Sequence, residues 1–124
     1  MAKVFLDANY FIDAVHRKPE LEILETLENH TVYISALSFD IYCYLCKIKI
    51  PDKKVSAQRE KFQIVDLSEN VLDLSLTGPT RDFEDNVQLH SAASAECDVF
   101  LTADKSLLKM KFFGKARIAP TLAV

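Results

Sequence analysis

Short apolar runs alternate with amphipathic stretches along the whole chain. The stretches between runs carry apolar residues three and four positions apart, which is typical of helices, and one such helix starts at Pro19. The order of elements is β-α-α-β-α-α-β-α-α-β-α-β, which indicates an α/β domain with a mostly parallel sheet. The predicted strands are Lys3–Leu6, Thr31–Ser35, 63–67, 98–103 and Ala116–Ala119.

Composition indicates a single globular domain spanning residues 1–124. Hydrophobic residues make up 49% and charged residues 27%, and the net charge of −3 differs from that of a strongly basic nucleic-acid binder. No apolar run reaches the roughly 18 residues that a membrane helix needs. The N-terminus lacks the long apolar segment of a signal peptide, so we expect no membrane association and a cytoplasmic location.

The stretch from Asp82 to Asp104, DFEDNVQLHSAASAECDVFLTAD, predicts a helix followed by a strand. A helix from Asp85 to Ala95 advances roughly 15 Å. A strand over 98–103 returns roughly 17 Å if it runs antiparallel to that helix. Asp85 and Asp104 are therefore expected at the same edge of the domain. This is the edge outside the carboxyl ends of the strands, where open α/β sheets bind ligands.

Two further acids belong to the same predicted edge. Asp7 follows the first strand directly, and Asp40 stands in the first turns of the helix after the second strand. Each acid has a separate explanation as a helix cap or as a charge near a helix N-terminus. Together, however, four acids on one edge would raise one another's pKa and destabilise the fold unless a cation neutralised them.

This arrangement points to a particular metal chemistry. Oxygen-only ligands suit Mg²⁺ or Mn²⁺, and such an ion can activate water and stabilise the charge that develops during phosphodiester cleavage. The hydroxyl of Thr102 can hold Asp104 or a water, and Asn9 can contact a phosphate or a carboxylate. Asp7, Asp85 and Asp104 are the candidate metal ligands, with Asp40 as a further candidate catalytic acid.

Other polar groups give weaker signals. His90 falls on the apolar stripe of its helix and is interpreted as a satisfied core histidine. The CxxC motif that starts at Cys43 lies in an apolar helical run without a second such motif, so we interpret its cysteines as packed thiols instead of zinc ligands. A basic run is interpreted as a solvated helical face, with a groove for a polyanion as the alternative. Its members are Lys47, Lys49, Lys53, Lys54, Arg59 and Lys61.

Two segments resemble the PIN-domain family and, by size, its small prokaryotic VapC-type members. VFLDANYFID resembles the family's first strand and first metal-binding acid, here Asp7 followed by Asn9. The segment from Asp82 to Asp104 resembles the family's Asp-headed helix, strand and Thr-x-Asp. The resemblance implies a three-layer fold with a central, mostly parallel five-stranded sheet flanked by helices. It also implies metal-binding roles for Asp85 and Asp104, with Thr102 in support.

The sequence departs from the family pattern at the second acid. That acid is usually a Glu in the helix after the second strand, and here the neighbourhood offers Asp40. Asp40 is one methylene shorter and stands about one residue early relative to Ser35, which corresponds to about 100° around a helix. Asp40 is thus expected to reach a metal through a water or not at all.

The resemblance implies a Mg²⁺- or Mn²⁺-dependent endoribonuclease, often dimeric and often silenced by a small cognate antitoxin. The alternative is a PIN-like module that binds RNA or protein without cleavage, which the acidic net charge and the displaced Asp40 favour. A receiver domain is a third interpretation, but its candidate phosphoacceptor, Asp66, lacks the acidic pair after the first strand. A phosphatase of the haloacid-dehalogenase type needs Asp-x-Asp, which Asp7 and Asn9 do not supply.

Overall fold

The computed structural model of the protein describes residues 1–122. The strands are β1 (Lys3–Leu6), β2 (Thr31–Ser35), β3 (Gln63–Val65), β4 (Val99–Leu101), β5 (Phe112–Phe113) and β6 (Ala116–Ala119). The helices are α1 (Ala8–Ile12), α2 (Ile23–Thr26), α3 (Ala36–Leu45), α4 (Lys53–Arg59), α5 (Glu69–Ser75), α6 (Phe83–Ser94) and α7 (Lys105–Leu108). Within the described range, no helix has both the length and the apolar character needed to cross a membrane.

The strands form one sheet in the order β3-β2-β1-β4-β6-β5. All neighbouring strands pair in parallel except β5 and β6, which pair antiparallel. The chain builds outward from β1 to β3 on one side and then crosses to β4 on the other side of β1. The strand order therefore reverses between β1 and β4, which is the topological switch point where ligands bind in such sheets.

Alternating side chains of the central strands feed two separate cores, one on each face of the sheet. Val4 and Leu6 of β1 pack with the large apolar side chains of α1 and α3. Phe5 points to the opposite face, where its ring stacks on that of Phe100 at 5.4 Å and packs with Leu89 of α6. This two-residue period explains why runs such as KVFL are apolar throughout and confirms the three-layer α/β arrangement.

The sheet has six strands, so the prediction of five was wrong. The additional strand, β5, pairs with β6 across a turn at Gly114, whose φ of +59° suits a residue without a Cβ. A Cβ at Gly114 would lie 3.4 Å from the Cβ of Ala93, so the hairpin also packs tightly on α6. A two-residue strand is too short to produce a recognisable alternation of apolar and polar positions.

The predicted helix that begins at Pro19 is also divided. A 3₁₀ turn covers Pro19–Leu21, and α2 begins only at Ile23. The break lies at Glu22, which adopts the left-handed conformation with φ of 49°. Beyond the break, Leu27 is buried in the same core as Val4 and Leu6. Local periodicity predicted an apolar face of Leu21, Ile23, Leu24 and Leu27. The last three pack in the core, but the placement of Leu21 on that face was wrong, because the change of direction leaves it exposed.

Candidate metal centre at the switch point

Asp7 lies directly after β1 and caps α1. Its Oδ1 accepts a hydrogen bond from the backbone N–H of Tyr10 at 2.8 Å, and its Oδ2 accepts one from the hydroxyl of Thr102. The side chain is buried. Burial raises the pKa of Asp7, the charges of Asp104 and Asp13 add to this, and the two hydrogen bonds oppose it. The local sequence thus produces the helix cap, and the fold buries its carboxyl group.

Thr102 connects the ends of the two strands that flank the switch point. It follows β4 as Asp7 follows β1, and the paired ends are joined by a hydrogen bond from Asp7 N–H to the Leu101 carbonyl at 3.1 Å. The Thr102 hydroxyl donates to Asp7 and accepts from the backbone N–H of Asp104 at 3.0 Å. This fully buried hydroxyl therefore fixes both acids relative to the sheet.

Asp104 caps α7 with one of its two carboxylate oxygens. Its Oδ1 accepts hydrogen bonds from the Ser106 N–H at 2.8 Å, the Ser106 hydroxyl at 2.6 Å and the Leu107 N–H at 3.2 Å. The Ser106 hydroxyl is the main reason that the pKa of Asp104 lies below its ordinary value. Asp104 is therefore a charged carboxylate, and within residues 1–122 its Oδ2 has no hydrogen-bond donor.

Asp85 lies in the first turn of α6 and differs from both other acids. The Asp82 carboxylate caps the helix by accepting from the Asp85 N–H at 2.9 Å, but the Asp82 N–H donates to the Thr80 hydroxyl and not to Asp85. In the described part of the chain, the Asp85 carboxylate has no hydrogen bond or ion pair. Burial, and then the charges of neighbouring acids, raise its pKa to about 6.

The charges of four other acids add to the raised pKa of Asp85. They belong to Asp82, Asp104, Asp7 and Glu84, in that order of effect. Residues from the ends of two strands and the start of one helix therefore interact at the carboxyl edge of the sheet. We call Asp7, Asp85 and Asp104 the acid cluster. The helix-and-strand geometry of the sequence predicted this proximity of Asp85 and Asp104.

Asp40 lies apart from the acid cluster. It is exposed on α3, and its charge contributes to the raised pKa of Cys43 but is not among the charges that shift Asp7 or Asp85. The next residue, Ile41, is the one that packs against the core. Asp40 therefore lies on the outer side of the helix, as expected from the rotation of about 100° per residue.

Asn9 and Thr102 also differ in what surrounds them. Thr102 is buried within the acid cluster, whereas Asn9 is exposed on the first turn of α1. Both the backbone and the side-chain oxygens of Asn9 accept from the guanidinium of Arg17, at 3.0 and 3.2 Å. Within residues 1–122, then, the carbonyl groups of Asn9 contact a cation.

Hard divalent cations fit the donors of the acid cluster. Every candidate ligand is a carboxylate oxygen, and within residues 1–122 neither oxygen of Asp85 has a partner. Mg²⁺ is usually bound by one or two carboxylates while it keeps several waters. In the described chain, however, no group of three His, Cys, Asp or Glu side chains is already arranged around one metal position. The charges repel one another across the site, and water or substrate oxygens would complete a coordination sphere.

The other polar groups have structural partners or face solvent. The His90 ring nitrogen Nε2 contacts the Gly78 carbonyl at 2.8 Å, so this histidine is satisfied, as predicted. Cys43 and Cys46 are half-buried, and Cys97 is buried. The basic run is exposed throughout and ends at Lys61, near the start of β3 and thus at the opposite edge of the sheet from the acid cluster.

Sequence reasoning missed three contributors to the site. Tyr10 supplies the backbone donor to Asp7, Ser106 supplies two donors to Asp104, and Asp13 adds charge near Asp7. Ser106 had a partial signal, because Asp104 is a preferred N-cap residue and an N-cap carboxylate accepts from the backbone N–H two or three residues later. Asp13 had none, because the turn that carries it is not a regular α-helix.

These features define an α/β protein with an acidic site at the switch point of a parallel sheet. The sequence model of the family described as "PIN domain" matches residues 3–106, and the chain belongs to this family. Among curated proteins, none matches this sequence.

Two solved structures share the fold. One is VapBC2 from Rickettsia felis bound to a DNA fragment from its promoter, with a TM-score of 0.66 and 17% identity over 94% of this chain and 97% of that chain. The other is DNA-bound VapBC from Salmonella typhimurium, with a TM-score of 0.66 and 20% identity over 96% of this chain and 98% of that chain. At these identities the likeness concerns the fold.

Proposed function

We propose that the protein is a metal-dependent endoribonuclease that hydrolyses RNA phosphodiester bonds. Asp7, Asp85 and Asp104 would hold Mg²⁺ or Mn²⁺, with Asn9 and Thr102 in supporting roles. The single observation that carries the proposal is the Asp85 carboxylate, which has no protein partner in residues 1–122 and a pKa raised to about 6 beside two further acids. Membership of the PIN family supports a hydrolase of the nuclease class.

The residues of the acid cluster divide the work between them. Asp85 and the free Oδ2 of Asp104 offer ionised oxygens for the metal, while Thr102 and the Tyr10 N–H keep the buried Asp7 carboxylate in one orientation. A divalent cation bound there lowers the pKa of water and stabilises negative charge on a phosphodiester. Because the Thr102 hydroxyl holds Asp7 and Asp104 in place, these two residues would need little rearrangement to bind a metal.

Asp40 has a lesser place in this proposal. Because its side chain is exposed on α3, it would act through a water or a substrate group and not as a direct ligand. We expect the change Asp40→Asn to reduce cleavage less than the same change at Asp85.

We further propose that the protein acts in the cytoplasm as the toxin of a toxin–antitoxin pair and forms a homodimer. The structural neighbours are VapBC assemblies, which supports a small cognate antitoxin as partner. Exposed leucines on and after α5 offer apolar side chains for such protein contacts. They are Leu72, Leu74 and Leu76, with exposed fractions of 38%, 43% and 69%.

A second candidate function is an RNA-binding or protein-interaction module that does not cleave. It is favoured by the position of Asp40 outside the acid cluster and by the net charge of −3. The two functions differ in their response to metal, because only the first requires it.

Cleavage of a structured RNA by the purified protein, in Mn²⁺ and in EDTA, tests the proposal. Asp85→Asn and Asp104→Asn are expected to slow Mn²⁺-dependent cleavage by about 100-fold or more, since a catalytic metal contributes several kcal/mol. Asp98→Asn is the matched control at the opposite edge and should cleave at the wild-type rate. RNA binding without any metal-dependent cutting would establish the second function instead.

A further inference from the structure

A π-helical turn follows α1 near the acid cluster. It spans Asp13–Arg17 and is closed by a hydrogen bond from the Lys18 N–H to the Asp13 carbonyl at 3.0 Å. π-turns are rare and occur frequently at functional sites, because the wider turn redirects the side chains that follow it. Here the turn brings Arg17 back over Asn9, which lies on the first turn of α1.

Three protein contacts fix the Arg17 guanidinium. Its Nε lies 2.8 Å from Oδ1 of Asp13, and its Nη2 donates to the backbone carbonyl and the side-chain oxygen of Asn9. A guanidinium carries five N–H donors, and the two on Nη1 have no acceptor among residues 1–122. With 41% of its side chain exposed, Arg17 is a positioned cation with donors left for a ligand.

The neighbours of Arg17 place it at the rim of the acid cluster. Asn9 follows Asp7 by two residues, and the charge of Asp13 contributes to the raised pKa of Asp7. Lys18 lies 3.9 Å from the second oxygen of Asp13. The group of Asp13, Arg17 and Lys18 therefore carries a net charge of about +1 beside an otherwise acidic site.

We propose that Arg17 binds a backbone phosphate of the RNA, adjacent to the phosphodiester that is cleaved. This inference rests on the proposed function and names how the same site holds its polyanionic substrate. A metal neutralises the acid cluster itself, but neighbouring phosphates need their own donors. Arginine is suited to this because its planar fork donates two parallel hydrogen bonds to phosphate oxygens.

The basic run does not supply this contact. Its last residue, Lys61, lies near the start of β3, across the sheet from the acid cluster. Arg59 of that run is exposed, as Arg17 is, and its Nη1 only approaches the Phe62 carbonyl at 3.4 Å. Arg59 is therefore a matched control for the loss of one arginine charge.

The test compares Arg17→Gln with Arg59→Gln in two assays. The first measures binding of a short single-stranded RNA in EDTA by fluorescence anisotropy at several salt concentrations. We expect Arg17→Gln to weaken binding about tenfold and to reduce the salt slope by about 0.7, which is the value for one contact to single-stranded nucleic acid. The second measures steady-state cleavage in Mn²⁺, where KM should rise about tenfold and kcat should stay within twofold.

A second variant separates phosphate binding from support of the π-turn. Arg17→Lys keeps the charge and loses the planar fork, so its salt slope should match wild type while its affinity is intermediate. If Arg17 only supports the π-turn, both variants should lower the melting temperature and leave the KM and the salt slope unchanged. That result would overturn the proposed phosphate contact.

The outcomes distinguish this inference from the proposed function. If wild type cleaves RNA and Arg17→Gln has an unchanged KM and salt slope, the Arg17 contact is wrong and the nuclease stands. If wild type never cleaves but Arg17→Gln weakens RNA binding with a smaller salt slope, the contact stands and the nuclease is wrong. If wild type neither binds nor cleaves RNA, both are overturned.

Discussion

At the amino edge of the sheet, Asp98 accepts a hydrogen bond from the Lys3 N–H at 2.8 Å and pairs with Lys115 at 3.4 Å. At the carboxyl edge, Asp85 has no such partner in the described chain and faces other acids. The backbone bond from Lys3 is the main reason that the pKa of Asp98 is lowered, whereas burial and like charges raise that of Asp85 to about 6.

The difference shows where the fold uses charge for stability and where it tolerates repulsion. The amino edge has opposite charges and donors beside its acid, so ionisation of Asp98 favours the folded state. The carboxyl edge brings acids together and leaves one unpaired, so ionisation of Asp85 opposes folding. Perturbed carboxylates of the second kind are typical of functional sites.

The largest stability effect is expected at Thr102. Its hydroxyl donates to Asp7, an acid of the carboxyl edge that does have hydrogen-bond partners. Thr102→Val keeps the shape of the side chain and removes the hydroxyl that donates to the buried Asp7 carboxylate. We expect the free energy of unfolding at pH 7 to fall by about 2 kcal/mol, measured by urea denaturation in EDTA. Thr102→Ser retains the hydroxyl and is the control. Equal stability of wild type and Thr102→Val would mean that Asp7 is not held in this way.

A smaller effect distinguishes the two edges by pH. Between about pH 4 and 6 the folded protein holds the Asp85 proton more tightly than the unfolded chain does, so stability should fall as pH rises through this window. Allowing for solvent screening, the fall is about 1 kcal/mol. Urea denaturation of metal-free protein should show this fall in the free energy of unfolding for wild type and no such fall for Asp85→Asn.

The same substitution at Asp98 is expected to act in the opposite direction. Because its folded pKa is lowered, Asp98 contributes stability above pH 4 that is lost as pH falls through the folded pKa. Asp98→Asn should therefore destabilise the protein at pH 7 and have little effect near pH 2. If the free energy of unfolding of the two variants differed from wild type in the same way at every pH, the distinction between the two edges would be wrong.

The smallest effect is expected at Lys115. Its ion pair with Asp98 joins two exposed side chains, so Lys115→Gln should cost about 0.3 kcal/mol at low salt and almost nothing in 1 M NaCl. Lys109→Gln, another exposed lysine, is the control. A salt-independent loss of more than about 1 kcal/mol would indicate that the amino edge relies on this pair far more than exposed ion pairs usually allow.

Much of the fold was predictable from periodicity and strand ends. The runs KVFL and VFL are apolar throughout because both faces of their strands are covered, and this indicated a parallel sheet. The hairpin at β5 and the break at Glu22 were not predictable, since each depends on a left-handed residue and on packing against distant elements.

The candidate site was predictable in its position and not in its details. Acids at the ends of β1 and β4 share an edge whenever those strands are parallel neighbours, so Asp7 and Asp104 could be placed from sequence order and spacing. Their metal-binding roles stay a prediction. The phase of α3, which keeps Asp40 outside the cluster, and the π-turn, which carries Arg17 to Asn9, required the tertiary structure.

The sequence by itself determined the order of the helices and of the five longer strands, and the edge at which Asp7, Asp85 and Asp104 lie, because alternation and helix rise are local properties of the chain. The tertiary structure decided the pKa shifts of Asp7 and Asp85, because the largest cause of each is burial by elements that lie far apart in sequence. Thr102 reaches Asp7 across 95 positions, and in residues 1–122 the Asp82 N–H donates to the Thr80 hydroxyl and not to the Asp85 carboxylate. A carboxylate's pKa follows its neighbours in space, and only the folded chain selects them.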